Sequence, residues 1–396
     1  MEVKKDEAMD NMDYYERSLQ LHALNKGKLE TASKVPIENQ DNLFTAYMPG
    51  VKEPCMLIAQ EPENARRYSV KANTVAVVSD GSAVPDLGNI GGLAALPALE
   101  GKAVLYKKFG GVDAFPICLG TQDTDGIIET IKNIAPGFGG IDLVYISSPK
   151  CFEIEKRLDA ELDIPVFHDN RHGAAIVCGA AAVNAFRLIG KPLSDVRAVV
   201  NGTGASGNAI TKMLIRLGIR DVVVLDSKGI LSPSRISEFG EEEIELLEMT
   251  NKEGITGGLE KAVRNRDLFI GVSDPKVLTG EMVGTMRKDP VIFAMATPEP
   301  EIMPDTAKAA GARIVGTALP DFPNRISSVL VFPGIFRGAL DAGASDITED
   351  MRACAAHALA GLVSGAELSE EYLLPPVFKE GVSEAVAKAV AAVWRH

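Results

Sequence analysis

One glycine-rich turn constrains this chain more than any other feature. The residues Val199-Val-Asn-Gly202-Thr-Gly204-Ala-Ser-Gly207 spell G-x-G-x-x-G after an apolar run and before a helical pattern. Gly202 permits a tight turn, Gly204 lets backbone amides approach a pyrophosphate, and Gly207 lets the helix pack closely on the strand. The helix N-terminus adds positive potential where the phosphates would lie. Such a motif alone is weak, but strand, turn, helix and a following acidic residue are the context it requires. Asp226 ends the next apolar run, 24 residues past Gly202, where a carboxylate would accept hydrogen bonds from the adenosine ribose. The spacing favours NAD. Ser227 and Lys228 follow directly and would suit a 2′-phosphate, so NADP stays open.

The same alternation continues downstream. Runs at Val196–Asn201, Asp221–Asp226, Asp267–Val272, Pro290–Met295 and Ala312–Thr317 are short and β-branched, with helix-length stretches between most of them. That pattern predicts a doubly wound parallel sheet. A helix is expected from about Ala205 to Leu217. A solvated acidic helix is expected over Glu241–Glu248, with Ile244, Leu246 and Leu247 turned inward, and two amphipathic helices near Glu349–Val363 and Ser383–Trp394. The first half is less regular. Gly88-Asn-Ile-Gly-Gly92 reads as the turn opening a helix to about Leu99, and Lys102-Ala-Val-Leu-Tyr106 as a strand. At 396 residues two domains are expected, divided as 1–165 and 166–396.

Composition bounds the partners. Lys plus Arg number 41 against 54 Asp plus Glu, a net charge of −13 that argues against nucleic acid. A few cations in a cleft would still suffice for a small anion. Five scattered cysteines without a CxxC pair suggest neither a disulfide framework nor a zinc site, and fit a reducing cytoplasm. The charged start, MEVKKDEAMDNMDYYERSLQLH, lacks the apolar stretch of an export signal. The most apolar run, Ala174–Ala185, is shorter than a membrane span. No membrane association is expected.

Several segments read together carry a resemblance: Ala46-Tyr-Met-Pro-Gly-Val51, Leu87-Gly-Asn-Ile-Gly91, Glu100-Gly-Lys-Ala-Val-Leu-Tyr106, Ile164-Pro-Val-Phe-His-Asp169, Val277-Leu-Thr-Gly-Glu-Met-Val283 and Phe332-Pro-Gly-Ile-Phe-Arg-Gly-Ala339. In this order and spacing the chain resembles the short bacterial malic enzymes from about Tyr15 to about Ala360. The resemblance implies an α/β protein with an N-terminal malic-enzyme-type catalytic domain, a Rossmann-like NAD(P) domain and a homodimer. The reaction it implies is malate oxidation by NAD or NADP, metal-assisted decarboxylation and tautomerisation of enolpyruvate. The related malolactic enzymes retain NAD and release lactate.

By position, Tyr47 matches the family's general acid, Lys102 its general base, and Asp169 the carboxylate completing their proton network. A lysine in a dry or cationic cleft can take a proton from a substrate hydroxyl. Cofactor contacts are implied for Gly202, Gly204, Ala205, Ser206, Gly207, Asp226 and Thr297.

The metal positions depart from the family. It holds Mg²⁺ or Mn²⁺ with carboxylates in a Leu-Glu-Asp stretch and at the end of Phe-His-Asp-Asp. Here those stretches read Leu143-Val144-Tyr145 and Phe167-His168-Asp169-Asn170. Hard divalent cations want charged oxygen ligands, so no metal site is expected. Ser327-Ser328 replaces paired asparagines, Thr297-Pro298-Glu299 replaces Asn-Pro-Thr, and Arg171 and Arg325 stand where glutamine is usual. Arginine binds carboxylate in a planar fork. Arg171, Arg325 and Ser328 are therefore the expected substrate contacts. The leading expectation is a metal-independent NAD(P) oxidoreductase acting on a small anionic hydroxy or keto acid. Beside it stand a malic or malolactic enzyme with a rebuilt metal site, and a non-catalytic nucleotide-binding paralogue.

Overall fold

A computed structural model describes residues 13–394. The first twelve residues, most of the charged part of the start, lie outside the described residues. Four helices open the described chain: α1 (Tyr14–Asn25), α2 (Gln40–Ala46), α3 (Lys52–Gln60) and α4 (Ala65–Tyr68). None of the four has a buried residue.

Two parallel sheets follow. The first comprises β1 (Thr74–Ser79), β2 (Asp113–Cys118), β3 (Gly140–Leu143) and β4 (Val166–His168), in the order β2-β1-β3-β4. Helices α5 (Gly91–Gly110), α6 (Thr124–Ile134) and α7 (Lys150–Glu161) connect these strands. The long α8 (Asp169–Ile189) leads out of this sheet to the second. There β5 (Arg197–Asn201), α9 (Ala205–Arg216), β6 (Asp221–Asp226), β7 (Gly229–Ile230), α10 (Glu241–Met249) and α11 (Leu259–Val263) come first. Then come β8 (Leu268–Gly271), α12 (Gly280–Gly284), β9 (Val291–Ala294), α13 (Pro304–Ala309) and β10 (Ile314–Thr317). The strand order is β10-β9-β8-β5-β6-β7, with only the short β7 antiparallel. Helices α14 (Phe332–Asp341), α15 (Glu349–Gly361) and α16 (Val382–Val393) close the described chain.

The second sheet follows its sequence pattern because both faces are buried. Val199, Val223, Phe269 and Ile292 pack on one face, and Val200, Val224, Ile270 and Phe293 on the other. Continuous β-branched runs suit a sheet covered on both sides. In α10 only Leu246 of the three inward candidates is fully buried.

Three expectations change. Lys102–Tyr106 is helical, part of the 20-residue α5, rather than a strand. Ala95, Leu99, Ala103, Tyr106 and Gly110 are buried at spacings of four, four, three and four, a helical face that five residues cannot reveal. The expected division at 165/166 also moves, because β4 pairs with β3 in the first sheet and the chain leaves that sheet through α8. Finally, α8 is long and apolar enough to cross a bilayer, but 72% of its apolar window is buried inside the protein. Length alone does not distinguish a core helix from a span. All five cysteines are free.

Candidate active site

In parallel α/β sheets, ligands bind beyond the carboxyl ends of the strands where strand order reverses. In the first sheet that point lies between β1 and β3, and buried charge gathers there. Lys102, on the inner face of α5, places Nζ 2.5 Å from Asp169 Oδ2 and 3.1 Å from Asp142 Oδ2. Asp169 is the first residue of α8, and Asp142 lies in β3. Tyr106, one helical turn beyond Lys102, donates its hydroxyl to Asp142 at 2.8 Å. Ser328 donates to Asp169 at 2.8 Å. The Lys102 ammonium also lies 4.2 Å from the centre of the Phe332 ring, a cation–π contact.

Burial by itself lowers the Lys102 pKa, but the Asp142 and Asp169 charges more than offset it and hold that pKa above the ordinary value. Burial pushes the Asp142 carboxyl up to about 7, with the Lys102 charge pulling the other way. A resting ammonium beside a carboxyl that titrates near neutrality can exchange its proton with that carboxyl.

The raised Asp142 pKa makes stability depend on pH. The folded Asp142 carboxyl keeps its proton to about pH 7, whereas an ordinary aspartate loses it near 3.8. Its favourable contribution is complete below pH 3.8 and drains away as pH rises through 7. Melting temperatures of the parent and Asp142→Asn should diverge across that interval, the parent losing stability relative to the variant as pH rises. Parallel curves would show that Asp142 is ionised throughout.

The residues at the family's metal positions do not fit a divalent cation. Val144 is fully buried in the core. The Asn170 side-chain oxygen already accepts the Tyr145 backbone N–H at 3.0 Å, and the Tyr145 hydroxyl, its pKa raised by burial, offers only an uncharged oxygen. Asp142 and Asp169 both face the Lys102 ammonium. Among the described residues, no group of three His, Cys, Asp or Glu side chains is placed to hold a metal.

The nucleotide cleft occupies the corresponding reversal point of the second sheet. A cavity of about 600 Å³ is lined by Gly202, Gly204, Asp226, Lys228, Ser273 and Asp274, among others. Gly202 has φ +128°, and a Cβ there would lie 2.8 Å from the Val272 carbonyl oxygen. A Cβ on Gly207 would lie 2.0 Å from the Gly202 carbonyl oxygen, so that glycine is required by helix–turn contact. Gly204 differs: a Cβ there meets nothing within 4 Å. Asp226 is gripped by both arms of the Arg235 guanidinium, at 2.6 and 3.1 Å, and accepts from the Lys228 backbone. Burial opposes its charge, but Arg235 holds the carboxyl below its usual pKa. Ser206 donates to the Asn170 carbonyl at 2.8 Å and so ties the nucleotide turn to the first turn of α8. Ala205 opens α9 beside it. Thr297 lies exposed just past β9 and does not line the cavity.

The expected substrate contacts separate. Ser328 reaches the Lys102–Asp169 centre, but Arg171 does not. Two helical residues turn the chain by roughly 200°, so Asp169 and Arg171 face opposite ways from α8. Arg171 instead pairs with Glu155 at 2.6 Å and lies over the Phe152 ring. Arg325 is exposed, with no side-chain hydrogen bond or ion pair among the described residues. Tyr47 follows α2 and is 64% exposed, with no contact to Lys102 or Asp169 among the described residues. Sequence reasoning missed Tyr106, Arg235, Ser273 and Asp274. Tyr106 was detectable only by extending the helical period beyond Leu99; Arg235 carried no motif.

Comparisons with known proteins identify the two halves of the chain. Residues 26–159 match the family model described as malic enzyme, N-terminal domain, and residues 172–394 match malic enzyme, NAD binding domain. The chain is 52% identical over 380 residues to a bifunctional malic/malolactic enzyme of Bacillus subtilis, covering 96% of this chain and 93% of that one. It is 47% identical over 388 residues to an NAD-dependent malic enzyme of Geobacillus stearothermophilus, covering 98% of this chain and 80% of that one. A crystal structure of an NAD-dependent malic enzyme from Thermotoga maritima superposes with a TM-score of 0.91 at 43% identity, covering 96% of this chain and 99% of that one.

Proposed function

The chain belongs to the malic enzyme family of NAD(P)-dependent oxidoreductases, and from that premise we propose that it oxidises malate at C2, as its relatives' names suggest, without a bound divalent cation. The observation that carries the reading is the buried Lys102 between Asp142 and Asp169, joined to the nucleotide turn through Asn170 and Ser206. The relatives favour oxidative decarboxylation over simple dehydrogenation, so the substrate reading narrows from any small hydroxy acid to malate.

Hydride leaves C2 for the nicotinamide while the C2 hydroxyl gives its proton to Lys102. For that, Lys102 first passes a proton to Asp142, whose carboxyl is pushed up to about 7. NAD held in the cleft would supply the hydride acceptor, and a positive charge brought near Lys102 would favour that transfer, since like charge disfavours an ammonium. The regained ammonium then faces the new carbonyl. It supplies the fixed positive charge against which electrons accumulate as the β-carboxylate leaves. Asp226 in the grip of Arg235 supports NAD over NADP, because a 2′-phosphate would meet that carboxylate.

Tyr47 is too exposed to serve as acid within one isolated chain. The arm from α1 to α4 also displays Tyr14, Tyr15, Leu19, Leu24, Val35 and Ile37, each more than half exposed. So many exposed large apolar side chains on one segment suit an interface. We propose a homodimer in which a second copy covers this arm and Tyr47 reaches a Lys102 centre. Light scattering should give a mass of two chains; a monomer at micromolar concentration would remove Tyr47 from the mechanism.

The assay that tests the function follows NADH formation from malate, with NAD or NADP, before and after exhaustive EDTA treatment. Activity should survive chelation, elemental analysis should find no stoichiometric Mg²⁺ or Mn²⁺, and NAD should be preferred. Loss of activity on chelation with recovery on Mn²⁺ addition would instead establish a rebuilt metal site.

A further inference from the structure

A second cavity, of about 400 Å³, lies between α7, α8, α9, α10 and α15 and shares no lining residue with the nucleotide cleft. Its apolar floor includes Phe152, Ala175 and Met213, and its walls carry Lys156, Arg171, Lys212 and Arg352. Carboxylates line it too, but several are already engaged. Glu155 accepts from Arg171, from His172 and from the His168 backbone. Glu245 takes Lys212 at 2.6 Å. Among the described residues two cations are left without an ion pair, as are the lining carboxylates Asp159 and Glu349, of which burial pushes Asp159 up to about 6. Arg352 has no carboxylate within 4 Å among the described residues; its one side-chain contact is His172 Nδ1 at 3.2 Å, and its Nε has no partner. Burial keeps His172 neutral, its pKa lowered to about 3, so it accepts from Arg352 without cancelling the charge. Lys156 makes no ion pair among the described residues and stands exposed at the mouth.

The Glu155, Asp346 and Glu349 charges act on Arg352 without touching it, and a buried guanidinium gains most from an anion in direct contact. The volume suits a small organic molecule, and the apolar floor suits a hydrocarbon or aromatic body. We propose that this cavity is an effector site for a small organic anion, whose phosphate or carboxylate pairs with Arg352 and Lys156 and whose apolar part rests on Phe152 and Met213.

The route to the nucleotide is short. Helix α9 contributes Ala209, Lys212 and Met213 to the cavity and begins at the G-x-G-x-x-G turn. Arg171 also donates to Asn208 of α9 at 3.3 Å. An anion drawn to this wall acts on the helix whose first turn holds the cofactor. By linkage, effector and nucleotide then alter each other's affinity equally.

The test uses the full chain with saturating NAD, so that the phosphate-binding turn is filled, and calorimetric titration with phenyl phosphate, benzoate and inorganic phosphate. Phenyl phosphate or benzoate should bind at one saturable site per chain, more tightly than inorganic phosphate; which of the two is tighter identifies the head group. Arg352→Gln and Lys156→Glu should each weaken binding at least tenfold. Lys156 is exposed, so its variant stays informative even if Arg352→Gln fails to fold. In a separate titration the tighter probe should change the NAD dissociation constant at least threefold. No saturable binding of any probe, or equal binding by parent and Lys156→Glu, overturns the site. Binding with an unchanged NAD affinity overturns its effector role.

Discussion

Lys102→Ala lowers malate turnover by about 100-fold or more, the scale usual for a general acid–base group. The effect follows from geometry. Lys102 is 7% exposed and is the only cation within 4 Å of both Asp142 and Asp169 among the described residues. Alanine removes the proton carrier and leaves two carboxylates facing one another, so at least one of them takes up a proton. The lost turnover should appear in kcat, because the lysine works on the reacting hydroxyl rather than on the nucleotide. NAD affinity, measured by titration, should remain near that of the parent. Lys102→Arg should not rescue turnover, since a guanidinium keeps the charge but does not give up its proton. A variant retaining near-parental turnover would make the lysine a structural counter-ion and remove it from the mechanism.

Gly204→Val abolishes nucleotide binding while the chain stays folded. The three glycines of the turn differ in what a side chain would strike. At Gly202 and Gly207 it would hit backbone at 2.8 and 2.0 Å, so substitution there disturbs the fold. At Gly204 it would meet no protein atom within 4 Å, and the residue lines the nucleotide cavity. Valine at 204 therefore projects into the space the pyrophosphate needs, at little cost to the apoprotein. Titration with NAD should show no saturation at millimolar concentration, with an unaltered circular dichroism spectrum and melting temperature. Retained affinity would mean that the pyrophosphate lies elsewhere. A matched loss of fold would mean that Gly204 is structural like its neighbours.

Local sequence carried the second sheet almost intact. Its strands are β-branched runs buried on both faces, and its turn glycines obey steric rules that act within a few residues. Asp142 shows the limit of that legibility. On paper it is one acidic residue beside the altered metal positions; in the fold it becomes the partner of Lys102 and Tyr106, 40 and 36 residues away. Its raised pKa exists only because that strand is buried.

Arg171 is the clearest case of what only tertiary structure decided. An arginine where glutamine is usual suggested a substrate contact, but a helix begins at Asp169 and turns Arg171 to the opposite side. Adjacent residues on a helix serve different cavities, whereas the flat reading of a motif places them in one. The family and the nucleotide turn were therefore legible from side chains and spacing alone. Which cations face which cavity, and whether the metal positions retain free oxygens, depended on helix phase and long-range packing.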